Sequence, residues 1–268
     1  MHRKILLAFG LVLAIVLSAA AESANDGGTV IASYAVDSGN IQPATGGPSV
    51  DQAVRTRHAA VWRLIASALP SYYLDQITRF DVYIDSSADG AAGDAYTTLS
   101  DDGDSWTFAV NWASAKSVID GTTAELKDFK RTIVHELGHL VSQDHTQMQD
   151  GDDDSGQTLE IDGQATKPGA WLNQFYQRFW AKAYPERAGT ATTDLDEDAA
   201  ESFYSSHQAD FVTDYAATSV AEDFAESFAV WVLGPRPSRG VAAKKMAFFD
   251  GISALAAVRD SLRVSLRD

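Results

Sequence analysis

The chain has 268 residues, no cysteine and a formal charge of −16, which becomes −18 without Arg3 and Lys4. The lack of cysteine excludes disulfide frameworks, thiol nucleophiles and thiolate metal ligands, so any metal must be held by histidine and carboxylate. The acidic balance argues against nucleic-acid partners and anionic membranes; it favours solubility without identifying a substrate.

The first 21 residues (1–21) read as a signal peptide. His2, Arg3 and Lys4 give a positive start, Ile5 to Leu17 an apolar run broken only by Gly10, and Ser18 to Ala21 small residues suited to cleavage. That run is shorter than the about 20 residues a membrane span needs. The expectation is a secreted, extracellular, bacterial protein, monomeric and without membrane contact once the leader is cut. Residues 22–48 are rich in Gly, Ser and Thr, with Pro43 and Pro48, and predict a flexible N-terminal arm. Residues 49–268 are long enough for one well-buried core.

From Ser49 to Ala68, apolar residues including Val54, Val61, Leu64 and Ile65 recur at helical spacing, and Pro70 ends the pattern. Phe80, Val82 and Ile84 alternate as in a strand. The stretches 96–100 and 105–111 predict a hairpin turning at Asp101-Asp102-Gly103-Asp104. Thr122-Thr123-Ala124-Glu125 is a capping-box pattern, after which Leu126, Phe129, Ile133, Leu137, Leu140 and Val141 share one helical face. Residues 143–169 lose apolar periodicity and carry an acidic run. Residues 170–184 return to an aromatic helix, 185–194 read as a loop and 196–206 as a short helix. Ser219-Val220-Ala221-Glu222 is a second capping-box pattern; it opens an apolar helix that Gly234-Pro235 stops. Residues 241–266 predict one or two closing helices. The class is α+β, with a mainly helical C-terminal part.

The chemistry concentrates in His135-Glu136-Leu137-Gly138-His139. Residues i and i+4 lie one turn apart on one helical face, so both imidazoles can reach a single Zn²⁺. Glu136 is then placed as the general base on a water that the metal acidifies. The glycine lets that face approach a neighbour closely. A catalytic zinc needs a third protein ligand. His145 lies ten residues after His135, the spacing of HExxHxxGxxH, but Ser142 stands where that pattern has its glycine. Glu222 lies on the downstream helix, whose Phe224, Ala225, Phe228 and Trp231 mark it as mostly buried, and a buried carboxylate needs a partner. Glu222 is favoured over His145. Glu226, four residues on, can hold a ligand histidine in orientation.

HELGHLVS together with DYAATSVAEDFAESFAVWVL resembles the bacterial zinc-binding metallopeptidases of the lethal-factor-like gluzincin group. The resemblance covers these two helices and the lead-in Asp214-Tyr215, and its Tyr-x6-Glu-x3-Glu half is the more specific. It implies a zincin-like fold with a small mixed sheet beside the active-site helices, a metallopeptidase domain over 49–268 and peptide or protein substrates paired along a sheet edge. It also implies His135, His139 and Glu222 as zinc ligands, Glu136 as base, Glu226 behind a ligand histidine, and Tyr215 as a catalytic phenol facing the zinc. The 82 residues between His139 and Glu222 depart from the pattern and leave the cleft's shape, and so its specificity, open. The reading from another class is a catalytically silent extracellular zinc- or calcium-binding interaction module.

Asp150, Asp152 and Asp154 alternate as in a calcium loop, yet Ser155 and Ile161 stand where an EF-hand has its glycine and its last glutamate. A solvated acidic loop is the better reading, with Ca²⁺ a secondary expectation. Of two Asp-Ser-Gly tripeptides, at 37–39 and 154–156, the second lies in a charged loop without the apolar strand a buried aspartic dyad needs. His58 and His207 read as ordinary helix or surface residues, and Trp171 and Trp180 as core.

Overall fold

The computed structural model describes residues 28–42, 50–85, 93–100, 103, 105–149, 158–161 and 163–267. The signal-peptide reading and the calcium reading of Asp150, Asp152 and Asp154 lie outside these residues. Among them no helix is long and apolar enough to cross a membrane.

The architecture is α+β. In chain order it comprises β1 (Gly28–Asp37), β2 (Asn40–Ile41), α1 (Gln52–Ala68), the single turn α2 (Ser71–Leu74), β3 (Ile77–Asp85), β4 (Ala95–Leu99) and β5 (Trp106–Asn111). The single turns α3 (Trp112–Ala115) and α4 (Ser117–Asp120) lead into α5 (Thr123–Gln143). Then come β6 (Met148–Gln149), β7 (Glu160–Ile161), β8 (Gln164–Thr166), α6 (Trp171–Phe179), α7 (Glu197–His207), α8 (Val220–Leu233), α9 (Gly240–Asp250) and α10 (Ser253–Ser265). The main sheet runs β2-β1-β3-β5-β4 and is mixed: β3 and β5 are parallel, the other pairs antiparallel. The expected β4–β5 hairpin forms, with Thr97 opposite Phe108 and Gly103 at φ +74° in its turn. A second, three-stranded sheet β6-β8-β7 occupies the stretch in which no period was readable.

One expectation is corrected. The arm expected to be flexible over 22–48 contains β1, a ten-residue strand inside the sheet, with β2 on one side and β3 on the other. Ala32, Tyr34 and Val36 turn inward and are buried, with a bulge between Val30 and Ala32. Gly28, Thr29 and Ser33 are strand residues whose small side chains dilute the alternation. His58 is a helix residue, as its reading allowed, and it is buried. It lies on α1 at 1% exposure, its Nδ1 is 2.8 Å from the Tyr34 hydroxyl, and its ring meets that of Trp112.

α1 packs on the sheet through Val61, Trp62, Ile65 and Ala68, and Trp62 donates its indole N–H to the Gly39 carbonyl at 2.9 Å. α5 starts as its sequence requires: the Thr122 hydroxyl accepts from Glu125 N–H, and the Glu125 carboxylate accepts from Thr122 N–H. Its buried stripe of Phe129, Ile133, Leu137, Leu140 and Val141 joins the core. α8 is buried from Val220 to Val232. It ends at Gly234, whose φ of +71° suits glycine. Arg236 and Arg263 donate to the carbonyls of Trp231 and Val232, satisfying acceptors at its C-terminus.

α6, α9 and α10 pack around α8, with Phe224 in edge contacts to Phe175 and Phe249 at 5.4 and 5.1 Å between ring centres, and Phe175 and Phe249 tilted at 6.1 Å. Within this apolar region Asp223 and Lys245 form an ion pair with no solvent exposure, Nζ to Oδ2 2.6 Å. Trp180 and Ser227 also donate to Asp223, and Lys245 donates to the Asp210 carbonyl and lies 4.4 Å from the centre of the Phe211 ring. Such a pair persists in a core only when its remaining hydrogen-bonding capacity is met, as here.

Candidate metal centre

α5 and α8 cross beside the edge strand β4. A Cβ added at Gly138 would stand 2.8 Å from Ala225 Cα, so the absence of a side chain there sets how closely the two helices approach. That contact lies between the histidines on α5 and the acids on α8, which are thereby held facing one another.

His135, His139 and Glu222 form a group whose ligand atoms could hold a metal ion. The two Nε2 atoms are 3.2 Å apart, His135 Nε2 is 3.1 Å from Glu222 Oε2, and His139 Nε2 is 3.4 Å from Glu222 Oε1. Glu222 is 9% exposed, and its Oε2 is buried without a hydrogen-bond partner. Ser219 accepts from the Glu222 amide at 3.3 Å as a helix cap should, but the Glu222 carboxylate lies with the histidines rather than back on the cap. The second capping box is therefore only half made, and its acid is available for ligation.

Glu226 stands behind this group. Its Oε1 is 2.8 Å from His135 Nδ1, and its Oε2 accepts from Arg131 Nη2 and from the Thr213 hydroxyl, each at 2.7 Å. A carboxylate can only accept, so His135 carries a proton on Nδ1, and in the neutral ring the Nε2 lone pair is left facing His139 and Glu222. That is the tautomer a metal ligand requires. On the other side, Glu136 is 3% exposed and its Oε2 accepts from the Thr97 hydroxyl on β4 at 3.0 Å.

The electrostatics follow from burial in close company. Burial pushes the Glu136 carboxyl up, against the pull of His135 and His139. Burial also acts to raise Glu222, but His139 and His135 outweigh it and hold that carboxyl well below its ordinary range. Glu226 is treated alike: burial opposes ionisation, while hydrogen bonding and charge from His135, with Arg131 and Thr213, bring it down to about 2. Two ionised acids and one acid of raised pKa thus share one site, the pattern of divided roles.

Tyr215 lies on a single 3₁₀ turn (Tyr215–Ala217), is 50% exposed, and its ring centre is 5.8 Å from that of His135. It lines a cleft of about 940 Å³ with Tyr96, Thr97, His135, His139 and Glu222. His145 does not join the group. The Ser142 hydroxyl donates to the Gly138 carbonyl at 2.9 Å, the helix runs straight on to Gln143, and His145 emerges exposed beside Tyr72. Without a reversal at Ser142, the HExxHxxGxxH alternative has no path back to the histidines.

The sequence reading missed Thr97, Arg131 and Thr213. Arg131 carried a usable signal, one turn before His135 on the same face. Comparison with protein families, with curated proteins and with solved structures finds no match to this chain.

Proposed function

We propose that this chain is a zinc-dependent metallopeptidase with gluzincin-type ligands on a zincin-like arrangement of helices and sheet edge. The observation that carries the reading is the convergence of His135, His139 and Glu222 with a buried, unbonded Glu222 oxygen at its centre. Tetrahedral zinc with ligand bonds of about 2.0–2.2 Å requires ligand atoms about 3.3–3.5 Å apart. The separation of 3.4 Å meets that spacing, and those of 3.1 and 3.2 Å are slightly tighter, so the ligand atoms need to part by only about 0.1–0.2 Å to receive the ion. An imidazole pair with one carboxylate suits zinc better than the all-oxygen cations.

Zinc held there would polarise a scissile carbonyl and acidify a water. The chain supplies the remainder. Glu136, one residue past the first ligand, takes the proton from the attacking water and returns it to the leaving amine as the C–N bond breaks. Thr97 fixes one Glu136 oxygen and leaves the other for the water. Glu226 keeps His135 in its ligand tautomer. The Tyr215 phenol, facing the cleft, donates to the oxyanion. β4 lies at the sheet's edge and lines the cleft, so its open side can pair with an extended peptide.

The test combines metal content with cleavage of a proteome-derived peptide library. One zinc per chain, lost in Glu222→Ala and kept in His145→Ala, supports the ligand set. Glu136→Gln should keep the zinc and lose about 10²–10⁴-fold in cleavage. A wild-type chain without zinc, or a Glu136→Gln chain of undiminished activity, sinks the reading.

A further inference from the structure

We propose that Thr213 is a positioning residue that couples the orientation of His135 to the turn carrying Tyr215. Its hydroxyl donates to Glu226 Oε2 at 2.7 Å and accepts from the Ala216 amide at 3.1 Å. The polarity of this link is fixed, because a carboxylate can only accept and an amide N–H can only donate. Glu226 passes the constraint to His135 through its other oxygen, at 2.8 Å. At the far end, Ala216 is fully buried and is the residue next to Tyr215, inside the same 3₁₀ turn. One hydroxyl therefore ties the ligand-bearing helix α5, through the acid on α8, to the loop that places the phenol over the cleft.

Arg131 supplies the internal control. It donates to the same Glu226 oxygen at 2.7 Å, but among the described residues no hydrogen bond carries it to the Ala216 turn. Both residues should support His135, and only Thr213 should also order the turn. A methyl group in place of the hydroxyl would strand the Ala216 amide and remove one donor from a buried carboxylate, each a cost that local movement relieves.

The coupling is read without relying on catalysis; only its catalytic meaning rests on the peptidase reading. Zinc affinity is measured on the full chain by competition with a chromogenic chelator. Order in the turn is measured by hydrogen–deuterium exchange of the peptide covering 213–218 in the zinc-loaded chain. Thr213→Val should weaken zinc binding about 10–100-fold and speed exchange in the turn. Thr213→Ser should restore both, which a bulk packing role would not. Arg131→Gln should weaken zinc and leave exchange in the turn unchanged. Thr213→Ala tests the same loss of hydroxyl with less crowding where Thr213→Val fails to fold. Wild-type zinc affinity in folded Thr213→Val or Thr213→Ala, or exchange unchanged while affinity falls, overturns the coupling. If the zinc-loaded wild type cleaves no peptide, the peptidase reading falls and these measurements still decide the coupling.

Discussion

The Thr97 hydroxyl on Glu136 is a single hydrogen bond with a readable consequence. It favours the ionised carboxylate and so restrains a pKa that burial pushes up. On the proposed peptidase reading, Thr97→Val should move the acid limb of the pH–kcat/KM profile to higher pH, because Glu136 then holds its proton longer; an unmoved limb would show that the bond does not bear on the role proposed for Glu136. His58 gives a second case, this time for stability. Burial first, and the Arg57 charge second, lower it from 6.5 to about 4. The unfolded chain therefore binds the extra proton between these values, so the stabilisation is complete above pH 6.5 and is lost as pH falls toward 4. His58→Gln should flatten the fall of melting temperature across that window relative to wild type, as thermal melts at half-unit steps would reveal.

At the scale of elements, the contact between α5 and α8 is the sensitive one. Gly138→Ala brings a methyl against Ala225 backbone, which cannot give as a flexible side chain would. Overpacking of this kind costs about 1–3 kcal/mol, and if the helices part at the metal site it appears as an about 5- to 150-fold weaker zinc affinity. Chelator competition on the folded variant checks this, and unchanged affinity would mean the helices can separate without moving the ligands. These two helices were also the most legible parts of the chain. Thr122 and Glu125 announce the start of α5, its apolar stripe gives the facing surface, and the apolar residues around Glu222 mark that acid as buried. β1 was not legible, because Gly28, Ala32, Ser33 and Ala35 blur the two-residue period. β6, β7 and β8 are two or three residues long and carry no period at all. Thr97 and Thr213 lie 39 and 13 residues from the acids they hold, and a hydroxyl at such separation leaves no spacing to read.

For the whole molecule, stability should divide between two buried charge assemblies. The Asp223–Lys245 pair is satisfied on every side, so Lys245→Met leaves an uncompensated buried carboxylate and should cost about 3–5 kcal/mol by urea titration. The double change Asp223→Leu with Lys245→Met should recover most of that loss; failure to recover would mean that the pair organises the surrounding helices. The proposed zinc site would act by mass action. Zinc at about 100 times its Kd should add about 2.7 kcal/mol, or about 5–11 °C in melting temperature for a domain of this size, and Glu222→Ala should lose most of that response.

β1 gives the sheet a vulnerable flank. A polypeptide begun at residue 49 would keep every side chain of the metal centre but would strip the partner from β3. The amides and carbonyls of Arg79 to Asp85 that now face β1 would then lie open beside the buried Phe80 and Val82. An uncovered apolar edge recruits other strands. Such a shortened chain should self-associate, visible as concentration-dependent light scattering, while a chain begun a few residues before Gly28 should not.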